Sequence, residues 1–334
     1  MILRQQNVLF TGLLIALMAC LTTSLQANDV FNDDFSDGDL AKTGATDTNW
    51  WTSSSSSGIE IDTIDEAGMP APPSLGLVTG GSGRGIHTVF PTQTLAPGDI
   101  LTASYTFVTP TTIGGGSSSS FRVGLLDTLG RVEAVTSTMP NMTNLDDNVD
   151  ASSNPATGPG PNAVYGWGGA VSGPGTLTLP GFMLDMDVNT GTGADLNFRQ
   201  HGFDTAFGTG RLMGTTSNWS NISPSGPDAG YEFLPNTEYT GTFSVEALAG
   251  GDVELCGTLG ADSYCNITTP NSLNFGMLGF HVNSDRFGTS NSAGDVDNGI
   301  DFTNISVTVK AVPEPASFGL LSIAGLALLG LRRR

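Results

Sequence analysis

A chain of 334 residues is long enough for one large domain or two small ones, with a sizeable core. Only 13% of residues are charged, yet 32 acids against 12 bases leave a formal charge of −20, which repels phosphate backbones and anionic lipid and excludes a nucleic-acid role. Hydrophobic residues at 38% are too many for a disordered acidic tail, and 45 glycines point to a turn-rich β protein.

In chain order, Arg4 is the only charge before Asp29, and an apolar run from Val8 to Leu21 leads into Thr22-Thr23-Ser24-Leu25-Gln26-Ala27. This order of basic, apolar and small-residue regions is that of a secretory signal, with cleavage expected after Ala27. An uncleaved anchor, or lipoprotein processing at Cys20, are the alternatives. The organisation expected is a signal peptide over 1–27, one β-sandwich over 28–311 and a tail over 312–334.

The body shows apolar alternation with period two rather than 3.6. Leu101, Ala103, Tyr105 and Phe107 alternate with Thr102, Ser104 and Thr106. Phe182 to Val188, Tyr239 to Ala247 and Ile305 to Val309 repeat the pattern, and Phe121 to Leu126, Val253 to Cys256 and Leu273 to Val282 add strands. Each alternation predicts one face on a core and one in water, as in antiparallel sheets. Turns are expected at Ala96-Pro97-Gly98-Asp99, at Asn189 to Gly193 and at Leu234-Pro235-Asn236-Thr237, with long loops over 137–175 and 209–229. The fold class expected is all-β, an antiparallel sandwich or jelly roll.

Cys256 and Cys265 form an even pair flanking a turn-like stretch from Gly257 to Ser263. Paired as a hairpin, the flanking segments bring the two within disulfide reach, and an exported chain keeps such a bond. A metal site on these cysteines lacks a third ligand type in the neighbouring sequence.

Acidic clusters invite calcium, which takes six to eight oxygens. Asp295, Asp297 and Asp301 alternate around Gly299, while Asp33, Asp34, Asp37 and Asp39 crowd the opening. First and last strands side by side could share one structural ion. Asp185, Asp187 and Asn189 repeat the spacing but equally fit a solvated strand face. Glycan-stacking candidates are the loop aromatics Tyr165, Trp167 and Trp219, with one of Trp50 and Trp51, since neighbours on a strand point to opposite faces.

An enzyme reading has one foothold, Glu60-Ile61-Asp62-Thr63-Ile64-Asp65-Glu66. Glu60 and Asp62 share a strand face, and a bulge could add Asp65 or Glu66, as in glycosidases with paired carboxyls. An edge strand entering a turn explains the same residues. His87, His201 and His281 read as sheet or loop residues, no Gly-x-Ser-x-Gly elbow is present, and Gly80 to Gly85 lacks the Gly-Lys-Ser/Thr of a phosphate loop.

The C-terminus carries Val312-Pro313-Glu314-Pro315, an apolar run from Ala316 to Leu331, and Arg332-Arg333-Arg334. Sixteen helical residues span about 24 Å, just short of the hydrocarbon thickness. The arginines hold the end cytoplasmic, while the prolines keep Glu314 on an extended segment open to a protease. The three parts together resemble the PEP-CTERM sorting signal of Gram-negative bacteria. That resemblance implies an exosortase as partner, transient membrane insertion through the short helix, removal of the tail, and delivery to the cell surface or matrix, often beside exopolysaccharide.

Three phrases resemble concanavalin A-like jelly-roll bodies: Asn32 to Asp39 as a first strand, Phe121 to Asp127 as a central one and Asp297 to Val307 as the last. With the tail they imply an exported, non-enzymatic surface or matrix protein whose work is structural or adhesive, with glycan or exopolysaccharide as the candidate partner. A secreted glycoside hydrolase of the same fold is the alternative.

Overall fold

The structure, a computed structural model, describes residues 27–38, 46–52, 58–64, 70–78, 84–113, 121–128, 179–187, 196–201, 213, 219–224, 233–282, 287 and 299–312, with positions 51–52, 58–64, 70–72, 78 and 84 described by backbone alone. The first strands are β1 (Asn28–Asp33), β2 (Trp51–Thr52), β3 (Gly58–Ile64), β4 (Pro70–Val78), β5 (Arg84–Thr94) and β6 (Ile100–Val108). Then come β7 (Phe121–Leu126), β8 (Gly181–Met186), β9 (Leu196–His201) and β10 (Trp219–Asn221). The last are β11 (Glu238–Ala247), β12 (Val253–Leu259), β13 (Asp262–Thr268), β14 (Asn274–Val282) and β15 (Gly299–Lys310). No helix occurs among the described residues.

The strands form two antiparallel sheets packed as a sandwich, the all-β class that the alternation predicts. One sheet of eight strands runs β13-β12-β11-β6-β15-β4-β3, with β1 also paired to β15. The other, of seven, runs β10-β9-β8-β7-β14-β5-β2. The opening and closing phrases do lie side by side: Asn28 pairs with Val309 and Asp33 with Ile305.

Leu101, Ala103, Tyr105 and Phe107 are buried, while the Thr and Ser residues between them face outward. Tyr105 meets Phe121 and Phe280 of the facing sheet edge-on, at 5.8 and 5.5 Å between ring centres. Its ring fills the space over Gly241, where a Cβ would come within 2.5 Å of it, so glycine holds a core position in that strand. Trp50 is fully buried beside Phe31 and Phe35, and its indole N–H donates to Asp33 at 2.8 Å. It is a core residue, not a sugar-stacking ring. Each such ring removed from water contributes roughly 1.5–3 kcal/mol.

One expectation fails on the seven-stranded sheet. β7 and β8 are buried on both faces, and β14 is buried from Phe275 to Val282. Alternation reports which residues face the core, but it cannot tell whether the opposite face meets water or protein.

The eight-stranded sheet keeps its outer face accessible from Asn304 of β15 across β6, β11, β12 and β13, while Ser74 and Asp301 on the same face are buried. Across six strands the register aligns Asn32, Ser306, Ser104, Thr242, Thr258 and Ser263 in one row. A second row on one side carries Thr308, Thr102 and Ser244 and continues into Cys256 and Cys265. A third on the other side carries Asn304, Thr106 and Thr240.

Candidate functional site

The outer face of the seven-stranded sheet collects polar groups that the fold keeps from water. The register places Asp185, Arg122 and His281 side by side on β8, β7 and β14. The next row reads Arg199, Met183, Gly124, Gly279 and His87, and the one beyond it Trp219, His201, Gly181, Leu126 and Met277. All three histidines of the chain therefore lie on this one face, and all three are fully buried.

Its charges are tied together. Arg122 Nε donates to one oxygen of Asp185 at 3.2 Å and Arg199 Nε to the other at 2.6 Å. Arg122 Nη1 also donates to the Met213 carbonyl. Burial draws the Arg122 pKa down, the charge of Asp185 opposes that shift, and Arg199 reinforces it. Met213 sits over Gly124 so closely that a Cβ on the glycine would overlap its sulfur, which accounts for a glycine in the middle of β7. Burial lowers the pKa of His87 to about 3 and of His201 to about 4, so both imidazoles are neutral near pH 7. Trp219 packs edge-on against His201 at 5.0 Å. A carboxylate shared by two guanidiniums, with two neutral imidazoles on the same face, ties these strands together largely out of contact with water. It does not offer the separated acid and base that proton transfer requires.

The calcium residues divide. Asp33 is buried on the core side of its sheet, where its two oxygens accept from Trp50 Nε1 and from the Phe35 backbone N–H. Asp301 lies between the core residues Ile300 and Phe302 and so belongs to the opposite face. The two cannot share an ion. The register shift between Phe302 and Asn304, which separates Asp301 from the part of β15 beside Asp33, is the physical reason. Asp37 is exposed, and Asp295, Asp297, Asp39 and Asn189 lie outside the described residues. Asp185 and Asp187 are buried, which removes the solvated strand face as an alternative for them.

Trp219 is nine-tenths covered and does not present its ring to solvent, which removes it from the sugar-stacking candidates; Tyr165 and Trp167 lie outside the described residues. Cys256 and Cys265 are joined across the β12–β13 hairpin, directly in register as expected. The missing third ligand type is corrected: a Glu254 oxygen and both sulfurs lie within 4.8 Å of one another, although the disulfide leaves no thiolate for a metal.

β3 is an edge strand, with its register shifted between Asp62 and Ile64, and positions 60 and 62 fall on the outer face; Asp65 and Glu66 lie outside the described residues. The signal segment 1–26 and the sorting residues Pro313, Glu314, Pro315, Arg332, Arg333 and Arg334 lie outside them too. Sequence reasoning missed Arg122, Arg199 and Met213. The available signal was an arginine set between Phe121 and Val123, and an aspartate between Leu184 and Met186.

No family model matches the sequence, and no curated protein does. Among solved structures, the metal-free carbohydrate recognition domain of Emp46p is 10% identical, with a TM-score of 0.40, over 84% of this chain and 97% of that one. The Lotus tetragonolobus seed lectin is 10% identical at 0.40, over 85% and 99%. An endo-1,3-beta-glucanase from Streptomyces sioyaensis is 12% identical at 0.39, over 86% and 97%. The likeness is distant, and function has to be sought in this chain's own residues.

Proposed function

We propose that the chain is an exported bacterial protein of the cell surface or matrix, cut free of its C-terminal tail by a membrane peptidase of the exosortase kind, whose β-sandwich binds glycan. The observation that carries the reading is the Cys256–Cys265 disulfide on an exposed hairpin. Cytosolic thiols stay reduced, whereas an exported domain keeps such a bond. Two further features support it. Val312, directly before Pro313-Glu314-Pro315, is hydrogen-bonded to Asp99 of the sandwich. The accessible part of the eight-stranded sheet's outer face carries hydrogen-bonding side chains of the kinds that recognise polyols. No catalytic residue is assigned, and Glu60 and Asp62 stand on an edge strand.

Intact mass measurement on protein recovered from the cell surface or medium tests the export and sorting. A mature chain beginning at Asn28 and ending near Val312 to Pro315 is the expected result. Surface protein that still carries Arg334 overturns sorting, and retention in the cytosol overturns the whole reading. Binding of the secreted protein to immobilised polysaccharides tests the glycan half.

A further inference from the structure

We infer that the outer face of the eight-stranded sheet is a docking surface for a neutral polysaccharide whose extended chains lie packed side by side. The inference rests on the glycan reading above and deepens it, naming the face and the class of polymer.

Three adjacent rows on this face carry hydroxyl and amide side chains with no ionisable group from β15 to β11, in a chain whose net charge is −20. Asp29 on β1 ends the second row beside Thr308, and the other charges stand at the two margins. Lys310, Glu246 and Glu254 occupy the row beyond Thr308 and Ser244, and Asp301 and Glu238 the row beyond Asn304 and Thr240. The aromatic residues of the same strands, Phe31, Tyr105, Phe107, Tyr239, Phe243, Tyr264 and Phe302, all belong to the core side. A neutral, ring-free face bounded by carboxylates excludes an acidic polymer by charge and does not stack single sugars.

The spacing is regular in two directions. Hydroxyls recur at about 4.8 Å from strand to strand and about 6.8 Å from row to row. The first distance is close to the advance of one pyranose ring in an extended β-linked chain, so one row can follow one chain, and the three rows together span about 14 Å, wide enough for a second chain beside it.

The array is pre-set. Thr242 and Thr258 hydroxyls bond at 2.7 Å, Thr106 and Thr240 at 3.2 Å, and Asn304 donates to Asn32 at 3.0 Å. Threonine is stiff at χ1, and the Cys256–Cys265 disulfide ties the two strands at one end of the face. Each contact to a sugar hydroxyl replaces a contact to water and gains little alone, so binding accrues only when many positions engage together. The face selects an insoluble polymer over its soluble fragments.

Co-sedimentation of the secreted protein with microcrystalline cellulose, an insoluble neutral β-glucan, tests the assignment. Retention that soluble cello-oligosaccharides do not displace is expected. Placing two charges mid-array with Ser104→Lys and Thr242→Lys should lower the bound fraction at least tenfold. Ser104→Val with Thr242→Val, which keeps the surface uncharged and suits a strand, should lower it less but measurably. Leu234→Ser, in a turn off this face, should leave it unchanged. Thermal melts verify that each variant is folded. Undiminished binding by both folded double variants overturns the face while leaving the glycan reading intact. Binding to acidic but not neutral polymers overturns the polymer class. Failure to bind any polysaccharide overturns both, and ice-growth inhibition in that case assigns the array to ordered water.

Discussion

The backbone N–H of Val312 donates to the Asp99 carboxylate at 2.8 Å. The other oxygen of that carboxylate accepts from Ala96 N at 3.0 Å, closing the turn between β5 and β6. The Val312 side chain lies against Gly98, whose conformation at φ +93 suits glycine and whose missing Cβ leaves the approach open. Val312, one position before Pro313, is thus fastened to the end of the sandwich. Limited proteolysis of the full chain by proteinase K should leave a core ending at or beyond Val312, read by intact mass. Asp99→Ala should let trimming run back into β15. An identical endpoint in both proteins would show that the bond does not set the boundary.

The disulfide closes a separation of nine residues across a hairpin whose two-residue turn begins with Gly260 at φ +58. A loop that short restricts the unfolded chain by roughly 2–3 kcal/mol. Reductant should lower the melting temperature of the parent by several degrees and leave that of Cys256→Ser/Cys265→Ser where it is. The double variant should already melt at the temperature of the reduced parent.

Much of this architecture was legible in the sequence because burial in a strand has period two. Leu101 to Phe107 and Phe243 to Ala247 turn the residues inward that their alternation nominates. The cysteine hairpin and the pairing of the first strand with the last were equally readable, since both follow from turn chemistry and sandwich connectivity. What stayed hidden depends on contacts distant in the chain. Asp185 reads as a solvated polar position until Arg122 and Arg199 are brought to either side of it, from 63 and 14 residues away. Gly241 reads as a weak point in a strand until the Tyr105 ring is found above it. Asp33 and Asp301 look like one acidic cluster, and only the register shift in β15 and the flanking core residues put them on opposite faces.

The shared Asp185 carboxylate sets up an asymmetry between its partners. Its removal leaves two guanidiniums facing one another, one of them with a side chain only 4% exposed. Asp185→Ala should cost about 3–5 kcal/mol, the range for stripping one partner from a buried ion pair. Arg199→Ala should cost clearly less, because Arg199 keeps some contact with water and Asp185 retains Arg122. Urea midpoints at constant slope measure both. Equal losses would mean that the cluster depends on Arg199 no less than on Asp185.

Protons act on this fold in two opposed ways. Burial raises the Asp33 pKa from 3.8 to about 6, more than the hydrogen bonds from Trp50 and Phe35 lower it. As pH falls through 6 the folded state takes up a proton before the unfolded chain does, so this group adds stability on acidification, about 3 kcal/mol once pH passes below 3.8. His87 and His201 have pKa values depressed below 6.5, so below that pH the unfolded chain binds protons first and stability is lost. The two histidine shifts together exceed that of Asp33, and the parent should lose stability from pH 7 towards pH 4. Asp33→Asn removes the opposing contribution. Whatever its stability at pH 7, it should lose more over the same interval than the parent does, by about 2 kcal/mol. Urea denaturation of both proteins at several pH values measures the difference, and parallel curves would show that Asp33 titrates in the fold as it does in the unfolded chain.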